Sequence, residues 1–283
     1  MTTTTTVAVT GGGGFIGRAV VDALTDTESD LVLLGRHAVD GRQQTRFVEL
    51  DVLRRDNRAA LAGSGASTLV HLAWDVTHGV YWEADANDEW ADATVHLAED
   101  FVRVGGTRMV VAGTCAERAP SLMGTRYAAA KRRTQERLSA IEGLDVAWVR
   151  IFFPVGAHED RRRLLPSLVG TLLGEEPFLV RQPSLVRDFG AVTDVGRAFA
   201  AAARGTATGV YEVGSGVGSS LGEVAMAVAQ HLGRPELVTF GDPSDPDPLV
   251  ADTRDLVGDF GCEAMISPHD ALIDAVDWWK DRL

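Results

Sequence analysis

Tyr127 and Lys131 stand four residues apart in the stretch RYAAAK, a spacing that puts a phenol and an ammonium on one helical face about one turn apart. Such a pair can move a proton. A phenol with an ordinary pKa of about 10 is a poor acid or base near neutrality, but a cation some ~4 Å away at an effective dielectric near 20 is worth up to about 4 kcal/mol, roughly three pKa units. Lys131 is therefore expected to bring Tyr127 into working range. Upstream, Thr114 ends the apolar run RMVVAGT (108–114), where its hydroxyl would hold a substrate oxygen and orient the reacting carbon. A lone Tyr-x-x-x-Lys also occurs on ordinary helix surfaces, so its meaning depends on the elements that would position it.

The first of those elements is VAVTGGGGFIG (7–17), a short buried-strand pattern running into four glycines and then a helical pattern. Glycines let the chain turn with positive φ and let a pyrophosphate approach the backbone, while the free N–H groups and positive end of the helix favour an anion. Two registers fit: Gly12, Gly14 and Gly17 match G-x-G-x-x-G, and Gly11, Gly14 and Gly17 match G-x-x-G-x-x-G. Both place a dinucleotide beside Phe15 and Ile16, although a glycine-rich turn can also be purely structural.

A second buried run, LVLL (31–34), ends at Gly35 and Arg36, where an acidic residue would grip the ribose hydroxyls of NAD. The acid is missing, and a guanidinium suits a 2′-phosphate. The cofactor is therefore read as NADP(H) in preference to NAD(H), the alternative being an ordinary exposed arginine. The third run, FVELDV (47–52), brings Asp51 and Val52 to the same edge, with Asp51 set to bond an adenine edge or else to cap the next helix. The fourth, LVHLA (69–73), delivers Leu72, Ala73 and Trp74 beside the cofactor phosphates. His71, ahead of the strand end, reads as a buried strand residue and not as a catalyst. A helix over 89–105 with apolar residues at helical spacing reads as packing, preceded by the aromatic pair Tyr81-Trp82.

Composition narrows the functional class. The chain has 283 residues, 45% apolar and 24% charged, enough for one large α/β domain or one such domain with a small lobe. With 40 acidic and 27 basic side chains the formal charge is -13, which argues against nucleic acid and anionic membranes as partners. The basic run 161–163 reads as a solvated loop or helix start. Two cysteines, Cys115 and Cys262, lack metal-site spacing, so no metal is expected and a reducing cytoplasm fits best. The opening threonines have neither a basic nor an apolar signal region and read as a frayed tail, and no stretch is apolar enough to span a membrane.

Taken together, these motifs resemble the extended short-chain dehydrogenase/reductase family, in its NAD-dependent epimerase/dehydratase branch acting on nucleotide sugars. The likeness rests on Val9 to Gly17, Val70 to Ala73, the set Thr114, Tyr127 and Lys131, and RIFFPVG (150–156), which resembles the segment leading past the nicotinamide and so implies that Pro154 and Val155 touch the cofactor. It extends to RDF (187–189) with VTDV (192–195), to GVYEVGSG (209–216) and to DWW (277–279). The resemblance implies an α/β fold, a doubly wound parallel Rossmann sheet with a smaller discontinuous α/β substrate lobe. The sheet would take residues 1–153 and about 186–216, and the lobe about 154–185 and 217–283, with helices over 221–232 and 271–280. A homodimer through the helices after strands four and five is also implied.

Departures from the family narrow the reaction. Cys115 and Ala116 follow Thr114 where dehydratases carry acid-base residues, which disfavours dehydration, and Glu117 is read as beginning a loop. The short span from Thr114 to Tyr127 predicts an open site. Phe153 stands where hexose epimerases bind substrate phosphates through Asn, and an acidic, proline-rich stretch (241–248) replaces a late Arg. Arg187 remains as the phosphate ligand, unless it serves an ion pair. The reading is an NADP(H)-dependent ketoreductase of an NDP-6-deoxy-4-ketohexose in deoxysugar biosynthesis, with an NDP-sugar epimerase retaining NAD, or a non-catalytic NADP(H)-binding regulator, as alternatives. A carbonyl substrate without a nucleotide also stays open.

Overall fold

The apolar runs become the strands of one parallel sheet, because a strand covered on both faces must be apolar at consecutive positions. A computed structural model describes residues 5–27, 29–38, 45–243 and 245–283. Strand and helix alternate as β1 (Thr6–Thr10), α1 (Phe15–Thr25), β2 (Asp30–Gly35), β3 (Arg46–Glu49), α2 (Arg58–Ser64), β4 (Thr68–His71), α3 (Ala86–Arg103), β5 (Arg108–Thr114), α4 (Arg126–Ser139) and β6 (Asp145–Ile151). There follow β7 (Phe153–Val155), α5 (Leu164–Leu173), β8 (Phe178–Val180), β9 (Val186–Arg187), β10 (Phe189–Ala191), α6 (Val192–Arg204) and β11 (Gly209–Val213). The chain closes with β12 (Ser219–Ser220), α7 (Leu221–His231), β13 (Val238–Phe240), α8 (Arg254–Phe260) and α9 (Pro268–Lys280). The threonine tail expected at the start lies largely outside the described residues.

Seven strands pair in the order β11-β6-β5-β4-β1-β2-β3, all in parallel. The winding reverses between β1 and β4, and the crevice beyond their carboxyl ends is where a doubly wound sheet binds ligands. Alternation along β1 sends Val7 and Val9 into one core with Leu24 and Phe199, and Ala8 into the other with Leu97, Phe101 and Trp148. A separate core in the smaller lobe joins Leu168 and Leu172 of α5, Val228 of α7 and Val276 of α9. The fold is thus the Rossmann sheet with a small α/β lobe that the sequence implies.

Three elements fall differently from expectation. The third strand stops at Glu49 and not at Val52, because Asp51 turns the chain by accepting the Leu53 N–H at 3.2 Å. Residues 186–191 form β9 and β10, which pair with β12 and β7 outside the main sheet; α6 and β11 make the return. Although it follows residue 217, α8 packs Leu256 into the core of the sheet.

The outer faces of α3 and α4 are tied by Arg126 to Asp85 at 2.5 Å and to Asp88 at 3.0 Å, by Arg137 to Asp92 at 2.5 Å, and by Arg133 to Asp88. Among the described residues no helix is long and apolar enough to cross a membrane, and no three potential ligand side chains gather as a metal site.

Candidate active site

The turn from β1 to α1 needs glycine at two places. Gly11 has φ +74°, and a Cβ there would lie 2.8 Å from the Ala73 nitrogen at the end of β4. A Cβ on Gly17 would lie 2.0 Å from the Gly11 carbonyl oxygen. Helix α1 begins without a side-chain cap and without an acid in its first turn, so its first N–H groups and positive end remain available to an anion. That cradle, which any larger side chain would fill, fits the pyrophosphate of a dinucleotide.

From this turn a cleft of about 930 Å³ runs across the carboxyl ends of the strands. Gly11, Gly14, Phe15, Ile16 and Gly17 line one end, with Gly35, Arg36, Asp51 and Val52. Leu72, Ala73 and Trp74 line the middle, and Tyr127, Lys131 and Pro154 the far end. The structure therefore brings most of the sequence-derived cofactor set into one continuous cavity. Val155 is the exception, being buried in the core of the lobe.

Tyr127 and Lys131 rise from the first turns of α4, which Thr125 caps by accepting the Ala128 N–H. Both are buried. The Lys131 ammonium donates to the Ala112 carbonyl at 2.8 Å and lies 3.8 Å from the centre of the Trp74 ring and 5.9 Å from that of Tyr127. Burial pulls the amine down to about 7, opposed by Glu117. The phenol is moved the other way: burial, aided by Tyr81, pushes Tyr127 above its ordinary value, and the Thr114 hydrogen bond opposes this. Desolvation thus outweighs the ammonium's effect in the protein alone, contrary to the expectation that Lys131 would by itself bring the phenol into range. The Tyr127 ring is packed edge-on by Tyr81 at 4.9 Å, Trp82 at 5.7 Å and Trp74 at 6.3 Å.

His71 is, as expected, a buried strand residue. It bridges Thr10 at 2.8 Å and Thr94 at 3.1 Å, and burial, helped by Lys131, pushes it down to about 3; it stays neutral at physiological pH. Thr114 does not line the cleft directly but hydrogen-bonds Tyr127 and accepts the Ala116 N–H at 3.3 Å. Glu117 is far more than the start of a loop. Its buried carboxylate accepts the Thr114 N–H at 2.7 Å, the Trp148 indole N–H at 3.0 Å and Arg150 at 2.9 Å, and so fixes the end of β5. Cys115, pushed up to about 12 by burial, packs with Ala119 and Phe152 against Leu249 and Ala251. The short span after Thr114 is thus packed as far as Ala119 and mostly exposed from Pro120 to Arg126.

The lobe side departs further from expectation. Phe153 packs on Phe189 at 5.9 Å and under the Arg187 guanidinium at 5.6 Å. Arg187 is buried, donates to the Asp247 carbonyl at 2.6 Å and pairs with its carboxylate at 3.3 Å, while Ser121 donates to the same carboxylate at 2.7 Å. Neither Arg187 nor Phe153 lines the large cleft. In the protein alone, Arg187 thus takes the ion-pair role that the sequence left open. The basic run, by contrast, reaches the site: Arg162 and Arg163 line the cleft, and Arg163 hydrogen-bonds Tyr81. Sequence reasoning missed Arg163, Glu117 and the Tyr81-Trp82 wall. The aromatic pair ahead of α3 was the available signal.

Comparison with known proteins places this geometry. The model of the NAD dependent epimerase/dehydratase family matches residues 7–214. A UDP-glucose 4-epimerase of Azospirillum brasilense is 27% identical over 328 aligned positions, covering 98% of this chain and 92% of that protein. A UDP-glucose 4-epimerase of Mycolicibacterium smegmatis is 26% identical, covering 83% and 85%. Among solved structures, MoeE5 in complex with UDP-glucuronic acid and NAD superposes with a TM-score of 0.83 at 25% identity, covering 98% of this chain and 99% of that one.

Proposed function

The chain belongs to the NAD dependent epimerase/dehydratase family, and on that premise we propose that it is a nicotinamide-dependent oxidoreductase acting at a keto or hydroxyl carbon of a nucleotide-activated sugar. The observation that supports this is one continuous cleft carrying the Gly11–Gly17 cradle at one end and Tyr127 and Lys131 at the other, with Thr114 beside Tyr127 behind the lining. The dinucleotide, when bound, supplies or accepts the hydride. Gly11, Gly14 and Gly17 would hold its phosphates through backbone N–H groups, with Arg36 and Asp51 at the adenosine end. Tyr127 would move the proton at its Oη to or from the substrate oxygen, and Thr114, bonded to Tyr127, would orient both. Lys131 supplies the positive charge that favours the ionised phenol.

Within this reading we infer NADPH as the cofactor and net reduction as the reaction, as by a ketoreductase of an NDP-6-deoxy-4-ketohexose. Gly35 and Arg36 give the end of β2 a cation and no carboxylate, which suits a 2′-phosphate. The second reading, an NDP-sugar 4-epimerase retaining NAD, draws on the nearly full-length similarity to two UDP-glucose 4-epimerases and on the NAD in the MoeE5 structure. Incubation with NADPH and a TDP-4-keto-6-deoxyhexose, and separately with UDP-glucose, distinguishes them. Stoichiometric oxidation of NADPH supports the reductase; conversion of UDP-glucose to UDP-galactose without net cofactor change defeats it in favour of the epimerase. A homodimer through α3 and α4 is part of the proposal, despite their charged outer faces, and sedimentation equilibrium tests it.

A further inference from the structure

We propose that Trp74, locked in place by Asn87, is a positioning residue that holds the Lys131 ammonium against its indole face beside Tyr127. The inference rests on the reading that Tyr127 and Lys131 carry the proton transfer, and it concerns how this chain keeps the amine where that step needs it. Trp74 stands three residues beyond the end of β4 and lines the cleft beside Leu72 and Ala73. Its indole N–H donates to Asn87 Oδ1 at 3.0 Å. Asn87 is buried, and its amide nitrogen donates to the Tyr81 carbonyl at 2.6 Å and the Ala84 carbonyl at 3.0 Å. Two carbonyl partners demand the NH₂ on that side, so the amide oxygen must face the indole. Trp90 stacks beside Trp74 with ring centres 6.3 Å apart at 28°. With its edge bonded and one side stacked, the indole presents a fixed face to Lys131, whose Nζ lies 3.8 Å from the ring centre.

That contact lies well inside the range of about 6 Å over which an aromatic face attracts a cation, and tryptophan is the strongest such face. The ammonium otherwise has the Ala112 carbonyl and, at the limit of that range, the Trp148 and Tyr127 rings at 5.9 Å, and the carboxylate that acts on it, Glu117, is already bonded to Arg150, Trp148 and the Thr114 N–H. The same indole also meets the Tyr127 ring edge, so one side chain sets the placement of both. The choice of residue fits: the sequence contains two lysines, Lys131 and Lys280, against many arginines, so a titratable amine is reserved for this buried position. The titratable groups facing it are His71 from β4, Glu117 after β5 and Tyr127 on α4, with Arg150 of β6 on Glu117 and with Cys115 and Tyr81 acting on Tyr127. Burial pushes His71 down to about 3 and Tyr81 and Cys115 up to about 12, all far from Lys131.

Two lysines make the test direct. The full chain, labelled with ¹³C at lysine Cε, is titrated by NMR from pH 5 to 11 as wild type, Trp74→Phe, Trp74→Leu and Asn87→Ala, with exposed Lys280 as internal control. In wild type the Lys131 ε-protons should be shifted upfield of those of Lys280 by the indole ring current. Trp74→Leu should remove that shift and lower the Lys131 midpoint by about 0.5–1.5 pH units, Trp74→Phe should restore most of it, and Asn87→Ala should fall between. A purely structural role for Trp74 would lower the melting temperature and leave the midpoint in place. The proposal is overturned if wild-type Lys131 shows no upfield shift, a result independent of how any variant folds, or if Trp74→Leu leaves shift and midpoint unchanged. Lack of turnover with keto sugars would defeat the functional reading alone, since these signals are read without substrate.

Discussion

Along the Gly11–Gly17 turn the cleft is walled by backbone, whereas outside its lining, toward the lobe, side chains from distant segments hold one another. Gly11 approaches the end of β4 closely enough that a Cβ would lie 2.8 Å from Ala73, and consecutive residues supply the whole cradle. Outside the cleft lining, Arg187, Asp247 and Ser121 form a group whose members are far apart in sequence. A backbone wall is rigid and tolerates little change in residue size. A group of paired charges can rearrange when a competing charge arrives, and this difference predicts how each side responds to mutation.

The largest effect should come from the rigid side. Gly17→Ala forces a Cβ to within 2.0 Å of the Gly11 carbonyl, and the turn must open. Dinucleotide affinity should fall by at least about a hundredfold, or ~2.7 kcal/mol, read by fluorescence titration with NADPH and NAD. Unchanged affinity would mean that the cradle does not hold the cofactor. Tyr127→Phe probes the chemistry between the two sides. It should lower kcat by about a hundredfold or more with dinucleotide affinity nearly intact, and a variant that kept full turnover would remove the phenol from the mechanism.

The same contrast governs what could be read from the sequence. The cradle was legible because glycine spacing and a strand-to-helix pattern are local, and Tyr127 with Lys131 because one helical turn relates them. Arg187 was legible as a cation but not as Asp247's partner, since nothing local links β9 to a loop some sixty residues later. Glu117 looked like the start of a loop, and only the folded chain puts Trp148 and Arg150 of β6 against it. The influence of Lys131 on Tyr127 was overestimated because spacing fixes proximity and says nothing of burial, which dominates both groups.

Asp247→Asn sharpens the comparison on the adaptable side. It removes the charge that Arg187 faces and leaves the Asp247 backbone carbonyl as an acceptor. If the diphosphate of the substrate competes with Asp247 for Arg187, UDP should bind the variant about fivefold more tightly, as losing a competing charge of about 1 kcal/mol implies. Isothermal titration calorimetry decides this. Equal affinities would assign Arg187 to holding the lobe together and leave the diphosphate to cations that line the cleft, Arg162 and Arg163 among them.

The smallest effect tests whether the adaptable side bears a cost in stability. Glu159, on the loop between β7 and α5, is buried with its Oε2 lacking a hydrogen-bond partner among the described residues, and burial pushes it up to about 8, with Arg163 opposing. The folded protein therefore binds a proton that the unfolded chain releases near pH 4.5. By linkage, the stability from this group is fully present below about pH 4.5 and is lost as pH rises through about 8. Glu159→Gln keeps the shape without the charge, so its melting temperature should match wild type near pH 5 and exceed it at pH 8 by roughly 2–4 °C for each kcal/mol recovered. A difference of the same size at both pH values would show that packing, not ionisation, sets the cost, and the contrast between the two sides would then hold for geometry alone.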